Sequence, residues 1–189
     1  MKFLILLAGC GLGDGSAIEE VILVYATLDK YNIKYVPIAQ DKSFNSVNHL
    51  TKEPSEVRNV LAESARIGRG LIQDIEGINC EDYDALIIPG GVGLINNYQD
   101  SEVVFKLIID FGRLGKPVGT MCAGIDLLRK WKGSNLMNEE IKELKANDFF
   151  YDQEHRAYYT PAFRKSSNIF EIQEGIDKMI LSIIMDLNE

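Results

Sequence analysis

Cys122 follows the short apolar run PVGTM and is followed at once by Ala-Gly-Ile, the pattern of a nucleophile at a strand-to-helix elbow. Gly119, Ala123 and Gly124 supply the small side chains such a turn requires. A thiol at a helix start feels the positive end of the helix dipole, which favours thiolate. The alternative is a buried cysteine that ends a core strand, a common fate of free cysteine. The turn PGGVG, residues 89–93, brings Gly90 and Gly91. Glycines there let backbone N–H groups approach a ligand, the material of an oxyanion hole. Taken alone, the same letters make a tight turn and nothing more.

Glu20, one residue after Glu19, has two readings. It is either a solvated first-turn carboxylate or, if its helix aims it over the sheet end, a proton holder against the Cys122 sulfur. His49 and His155 are the only imidazoles, and neither sits where a simple spacing rule would place a base. Neither PGGVG nor GCGLGDG has dinucleotide-binding spacing, and no Walker sequence is present, so no nucleotide cofactor is expected. Three widely spaced cysteines, Cys10, Cys80 and Cys122, fit neither a zinc site nor a disulfide framework. No metal is expected.

Positioning these groups requires alternating strands and helices. Phe3–Ala8 reads as a first buried strand, and Ser16–Asn32 as an amphipathic helix with Ile18, Ile22, Tyr25 and Leu28 on one stripe. Ser16 and Glu19 have capping-box spacing. Ile33–Ala39 is a second strand, Gln40–Ser55 a polar excursion holding His49, and EVRNVLAESARI a helix. Ala85–Gly91 is a strand ending in a turn, EVVFKLIIDFGRLGK a helix, PVGTM a strand and AGIDLLRKW the helix after the cysteine. NEEIKELKA reads as a short helix, DFFYD and AYYTPAF as strands, and Asn168–Leu187 as a closing helix. The alternation implies one α/β domain over residues 1–189, with a mainly parallel sheet covered on both faces. Ligands of such sheets sit beyond the carboxyl ends of the strands, where the loops with Cys10, His49, Gly90 and Cys122 converge.

The start MKFLILLAGC also looks like a lipoprotein signal. Phe3–Ala8 is shorter than the roughly 7–15 residue apolar stretch a signal needs, and a capped helix follows, so Cys10 is expected in a loop and unlipidated. A formal charge of -8 argues against nucleic acid. No apolar run approaches the roughly 18 residues of a spanning helix. A cytoplasmic protein with no membrane partner is expected.

The segments AGCGLGDGSAIEE, VNHLTKEPSEVRNVLAESARIGRG, ALIIPGGVG, GKPVGTMCAG, YYTPAF and EGIDKM together resemble the ThiJ/PfpI superfamily. Within it they are similar to the ElbB-like branch, named for enhancing lycopene biosynthesis. The resemblance runs from end to end with gaps. It implies a flavodoxin-like three-layer sandwich related to class I glutamine amidotransferases. It also implies that Cys122 is the nucleophile and Glu20 its acidic partner, that Gly91 and Ala123 offer backbone donors, and that Cys10, Asp14, His49 and Arg58 frame the crevice. Two departures stand out. Ala-Gly-Ile follows the cysteine where the branch has Ile-Ala-Pro. The segment between Lys130 and Asn147 is short, so the strand that usually carries a histidine near the cysteine is expected to be trimmed away. A Cys–His hydrolase is therefore disfavoured.

Two readings of function stand open. The resemblance implies an enzyme that converts methylglyoxal or glyoxal to a hydroxy acid without a cofactor, its partner a small dicarbonyl. The trimmed segment suits a non-enzymatic redox-sensing or interaction module that keeps the cysteine crevice. A homodimer is carried by analogy with the superfamily alone.

Overall fold

The near-continuous apolar runs are strands with both faces buried, as a parallel sheet between helical layers demands. The computed structural model describes residues 1–133, 136–137 and 139–189. In chain order the elements are β1 (Lys2–Leu6), α1 (Ile18–Lys30), β2 (Lys34–Ala39), β3 (Ser43–Val47), β4 (Pro54–Asn59), α2 (Val60–Ile67) and β5 (Gln73–Asp74). They continue with β6 (Ala85–Ile88), α3 (Val92–Tyr98), α4 (Glu102–Arg113), β7 (Val118–Met121), α5 (Gly124–Lys132), β8 (Phe150–Asp152), β9 (Ala157–Thr160) and α6 (Ile169–Asp186).

Seven strands form the main sheet in the order β5-β2-β1-β6-β7-β9-β8, all parallel except the edge strand β8. Period-two alternation sorts each strand between the two layers. From β1, Leu4 and Leu6 join the core under α3, α4 and α5, with Leu94, Ile108 and Leu128. Phe3 and Ile5 join the core under α1 and α6, with Val24, Ile176 and Met179. The alternation implied the covered parallel sheet, and the resemblance implied this flavodoxin-like sandwich. The shortened segment leaves no gap in the sheet, because β9 pairs directly with β7, Met121 opposite Thr160.

Several expectations need correction. Helix α1 exists, but its buried stripe is Val21, Val24 and Leu28, while Ile18 and Ile22 are exposed. Ser16 does not cap it: the cap position is Ala17, and the Ser16 hydroxyl accepts the Ala8 N–H at 2.9 Å. The helix expected from Glu56 begins only at Val60, because residues 54–59 pair with β3 in a separate two-stranded hairpin. Asn59 then caps α2, accepting the Ala62 N–H. The helix expected over 138–146 is absent across the described residues 139–146, which run in turns, and Asn138 lies outside the described residues. Tertiary contacts hold that stretch and its exit: Lys165 donates to the Lys142 carbonyl at 2.7 Å, and just beyond it the Thr160 hydroxyl donates to Asp148 O at 2.8 Å.

Candidate active site

Strand β7 delivers Cys122 to the carboxyl end of the sheet, and α5 begins two residues later. At the corner Cys122 adopts φ +48°, a left-handed conformation that side chains rarely take. Strain of this kind persists only where the surroundings enforce it. Here the Cys122 N–H donates to Thr160 O on β9 at 3.2 Å, extending the β7–β9 ladder through the corner.

Helix α1 carries Glu20 to the same point. Its side chain is fully buried, and Oε2 accepts the Gly90 N–H at 2.5 Å. Oε1 is buried with no hydrogen-bond partner among the described residues. The Cys122 thiol and the Phe163 amide flank this carboxyl. Gly90 lies between the two groups so tightly that a Cβ there would sit 2.5 Å from Cys122 Cβ and 2.6 Å from Glu20 Oε2. Gly90 therefore serves by anchoring the carboxyl, its amide already occupied. The Ala123 amide points back at the Cys122 sulfur. Gly91, at φ +125°, packs against the first loop, where a side chain would strike Gly15 O.

Burial pushes the Glu20 carboxyl up to about 7, outweighing the bonds that favour its charge. The Cys122 thiol is also pushed up, to about 12, by burial and by the neighbouring Glu20 charge. The thiolate expected from the helix dipole is thus opposed by a stronger effect, since Cys122 is only 8% exposed. Arg164 and the Ala123 amide act in the opposite direction on the sulfur.

Cys10, Asp14 and His49 gather in a second cluster, where the first loop meets the β3–β4 hairpin. Asp14 Oδ2 accepts the Val47 N–H at 2.8 Å. The Gly13 N–H donates to His49 Nε2 at 3.2 Å, so the ring acts as an acceptor that props the loop. Arg58 is held by Glu56 at 2.7 Å and Glu63 at 3.4 Å. Cys10 is half-buried, and burial raises its thiol. His155 binds Asp152 at 3.0 Å, just before the amino end of β9, at the opposite end of the sheet from Cys122.

A profile of the DJ-1/PfpI family matches residues 19–137, a span that includes both Glu20 and Cys122. The chain belongs to the DJ-1/PfpI family. This family member is 29% identical to human glutamine amidotransferase-like class 1 domain-containing protein 3, mitochondrial, over 95% of the chain and 81% of the human protein. The rat ES1 protein homolog, mitochondrial, is 28% identical over 95% of the chain and 82% of its own length. The human alignment spans 218 positions against 189 residues here, so the relative carries residues this chain lacks. Among solved structures, an isoprenoid biosynthesis protein with an amidotransferase-like domain from Ehrlichia chaffeensis superposes with TM-score 0.91 and 29% identity, each chain covered fully. Drosophila melanogaster DJ-1beta superposes with TM-score 0.56 and 14% identity over 98% of this chain and 89% of its own, a likeness of fold alone.

Two groups of this DJ-1/PfpI member lie at the cysteine without having been singled out in the sequence. The turn Ala162–Arg164 brings the Phe163 amide to Glu20 and the Arg164 guanidinium towards Cys122. Among the described residues, no helix is long and apolar enough to cross a membrane.

Proposed function

We propose a glyoxalase-type reaction at Cys122 that converts methylglyoxal or glyoxal to the corresponding hydroxy acid without a cofactor. The supporting observation is the Glu20 carboxyl, buried against the thiol, with Oε1 unpartnered among the described residues and a proton affinity near neutrality. A group that titrates near the working pH can both take and return a proton.

The ionised carboxyl accepts the Sγ proton as sulfur adds to the aldehyde carbon and passes it to the former carbonyl oxygen, which gives a hemithioacetal and leaves Glu20 ionised again. Glu20 then removes the hydrogen on that carbon, and the electron pair passes through an enediol. Return of the proton to the neighbouring carbon leaves a thioester of the hydroxy acid. Water cleaves the thioester and restores the thiol. The aldehyde carbon is oxidised and its neighbour reduced, so no external electron carrier is needed.

D-lactate formation from methylglyoxal by the wild type, Cys122→Ala and Glu20→Gln tests this reading. Turnover confined to the wild type supports it; a silent wild type, or an active Cys122→Ala, rejects it. The second reading, an interaction module without turnover, draws on the 8% exposure of Cys122 and its raised thiol. Those properties also weigh against a peroxide sensor, which needs an exposed, readily ionised thiol.

A further inference from the structure

The chain is strongly acidic, yet the 162–164 turn, which follows the strand whose Thr160 O holds the Cys122 N–H, carries a cation, Arg164. Arg164 Nη2 donates to Asp126 Oδ2, and both side chains are about a third exposed, 36% and 37%. Asp126 belongs to the first turn of α5, the helix that Cys122 leads into. The other oxygen of Asp126 lies 3.8 Å from Arg129 Nη1. Among the described residues, these two guanidiniums therefore share a single carboxylate. Arg129 is further occupied, donating to the carbonyls of Leu136 at 2.9 Å and Met137 at 3.3 Å. Asp126 could release Arg164 and keep a cationic neighbour.

A planar guanidinium with two forward donors is suited to a carboxylate. We infer that Arg164 forms a carboxylate subsite beside the Cys122 elbow, for which Asp126 is the internal stand-in, so that the site favours small electrophiles bearing an anionic group. The inference rests on Cys122 as the attacking group in the function proposed above, and not on the isomerisation that follows. The hydroxy acid released by that reaction would carry the same group.

The test compares iodoacetate with iodoacetamide. Each is attacked by sulfur, which forms a carbon–sulfur bond as iodide leaves and the thiol proton passes to base. The reagents differ in carrying a carboxylate or a neutral amide. Rates at Cys122 are read by mass spectrometry, with Cys10 and Cys80 of the same chain as internal references. The iodoacetate-to-iodoacetamide ratio at Cys122 should exceed that at Cys10 by about tenfold, the lower end of what one hydrogen bond to a charged group contributes. Arg164→Met should bring it to within about twofold of Cys10, Arg164→Lys should retain part of it, and Asp126→Asn should raise it. An unchanged ratio in Arg164→Met, no preference in the wild type, or no labelling of Cys122 by either reagent overturns the inference. If Arg164→Met does not fold by circular dichroism, the Lys and Asp126→Asn variants decide it by the same ratio. A wild type that makes no D-lactate but keeps the ratio would reject the glyoxalase reading and leave the subsite standing.

Discussion

Glu20 reaches Cys122 across Gly90: its Oε2 holds the Gly90 amide at 2.5 Å, while the carboxyl flanks the thiol. The two side chains come from α1 and the β7 corner and share one buried volume, so the charge state of each governs the other.

Substitutions at Glu20 should separate proton transfer from structure. Glu20→Gln keeps an oxygen for the Gly90 amide but cannot shuttle a proton. D-lactate formation should therefore fall at least about a hundredfold, with the fold retained by circular dichroism. Glu20→Leu leaves the Gly90 amide buried and unpaired, which costs about 1–3 kcal/mol in denaturant titration. A Gln variant that keeps most of the wild-type rate would rule out the shuttle.

The raised carboxyl also fixes a pH dependence of stability. Between its ordinary value of 4.5 and about 7, Glu20 is protonated in the folded chain but ionised in the unfolded one. Its contribution is complete below 4.5 and is lost as pH rises towards 7. The full loss is about 3 kcal/mol at 1.36 kcal/mol per unit. Urea midpoints of wild type and Glu20→Gln should converge at acidic pH, and the wild type should fall behind as pH approaches neutrality. Parallel profiles would place the Glu20 titration elsewhere.

Alkylation of Cys122 should follow the same group. With the thiol itself pushed up to about 12, iodoacetamide reacts near neutrality chiefly when Glu20 is ionised and can take the proton. The rate at Cys122 should pass through an inflection near pH 7, which Glu20→Gln removes. A rate that climbs steadily with hydroxide in both proteins would contradict the coupling.

Gly90→Ala should damage the site directly. The added methyl would lie 2.5 Å from Cys122 Cβ, with a backbone neighbour, Ala123 N, at 3.1 Å, so the elbow must shift. Overpacking of this kind costs about 1–3 kcal/mol, and D-lactate formation should fall well below that of wild type. Near-normal turnover would show that the corner is softer than its packing indicates.

His155→Ala should leave D-lactate formation within about twofold of wild type, because its ring lies on Asp152 beyond the amino end of β9. A large loss would reveal a histidine role that the sheet geometry does not provide.

The parts legible in the sequence were those in which local pattern and tertiary role agree. The runs at Leu4, Ile87 and Val118 announced themselves because both faces of those strands are buried. Cys122 and Gly90 stood out because a sharp corner restricts the residue types that fit. The β3–β4 hairpin was hidden because Pro54–Val57 are all exposed and give no periodic signal. Ser16 looked like a cap, yet its hydroxyl is used across the loop by Ala8. Arg164 was invisible for a different reason: its partner Asp126 is 38 positions earlier, and only the docking of the 162–164 turn joins them.

The elbow at Cys122 is pinned by Thr160 O, and Glu20 is flanked by Phe163, both from the last third of the chain. A ribosome makes Cys122 well before either support exists, and domains fold as units. Until β9 emerges, the corner has no backbone acceptor to hold it left-handed, and the carboxyl and thiol have no common enclosure. The burial that raises both the Cys122 thiol and the Glu20 carboxyl therefore arrives only with the last third of the chain, and until then each group titrates as in any unfolded peptide.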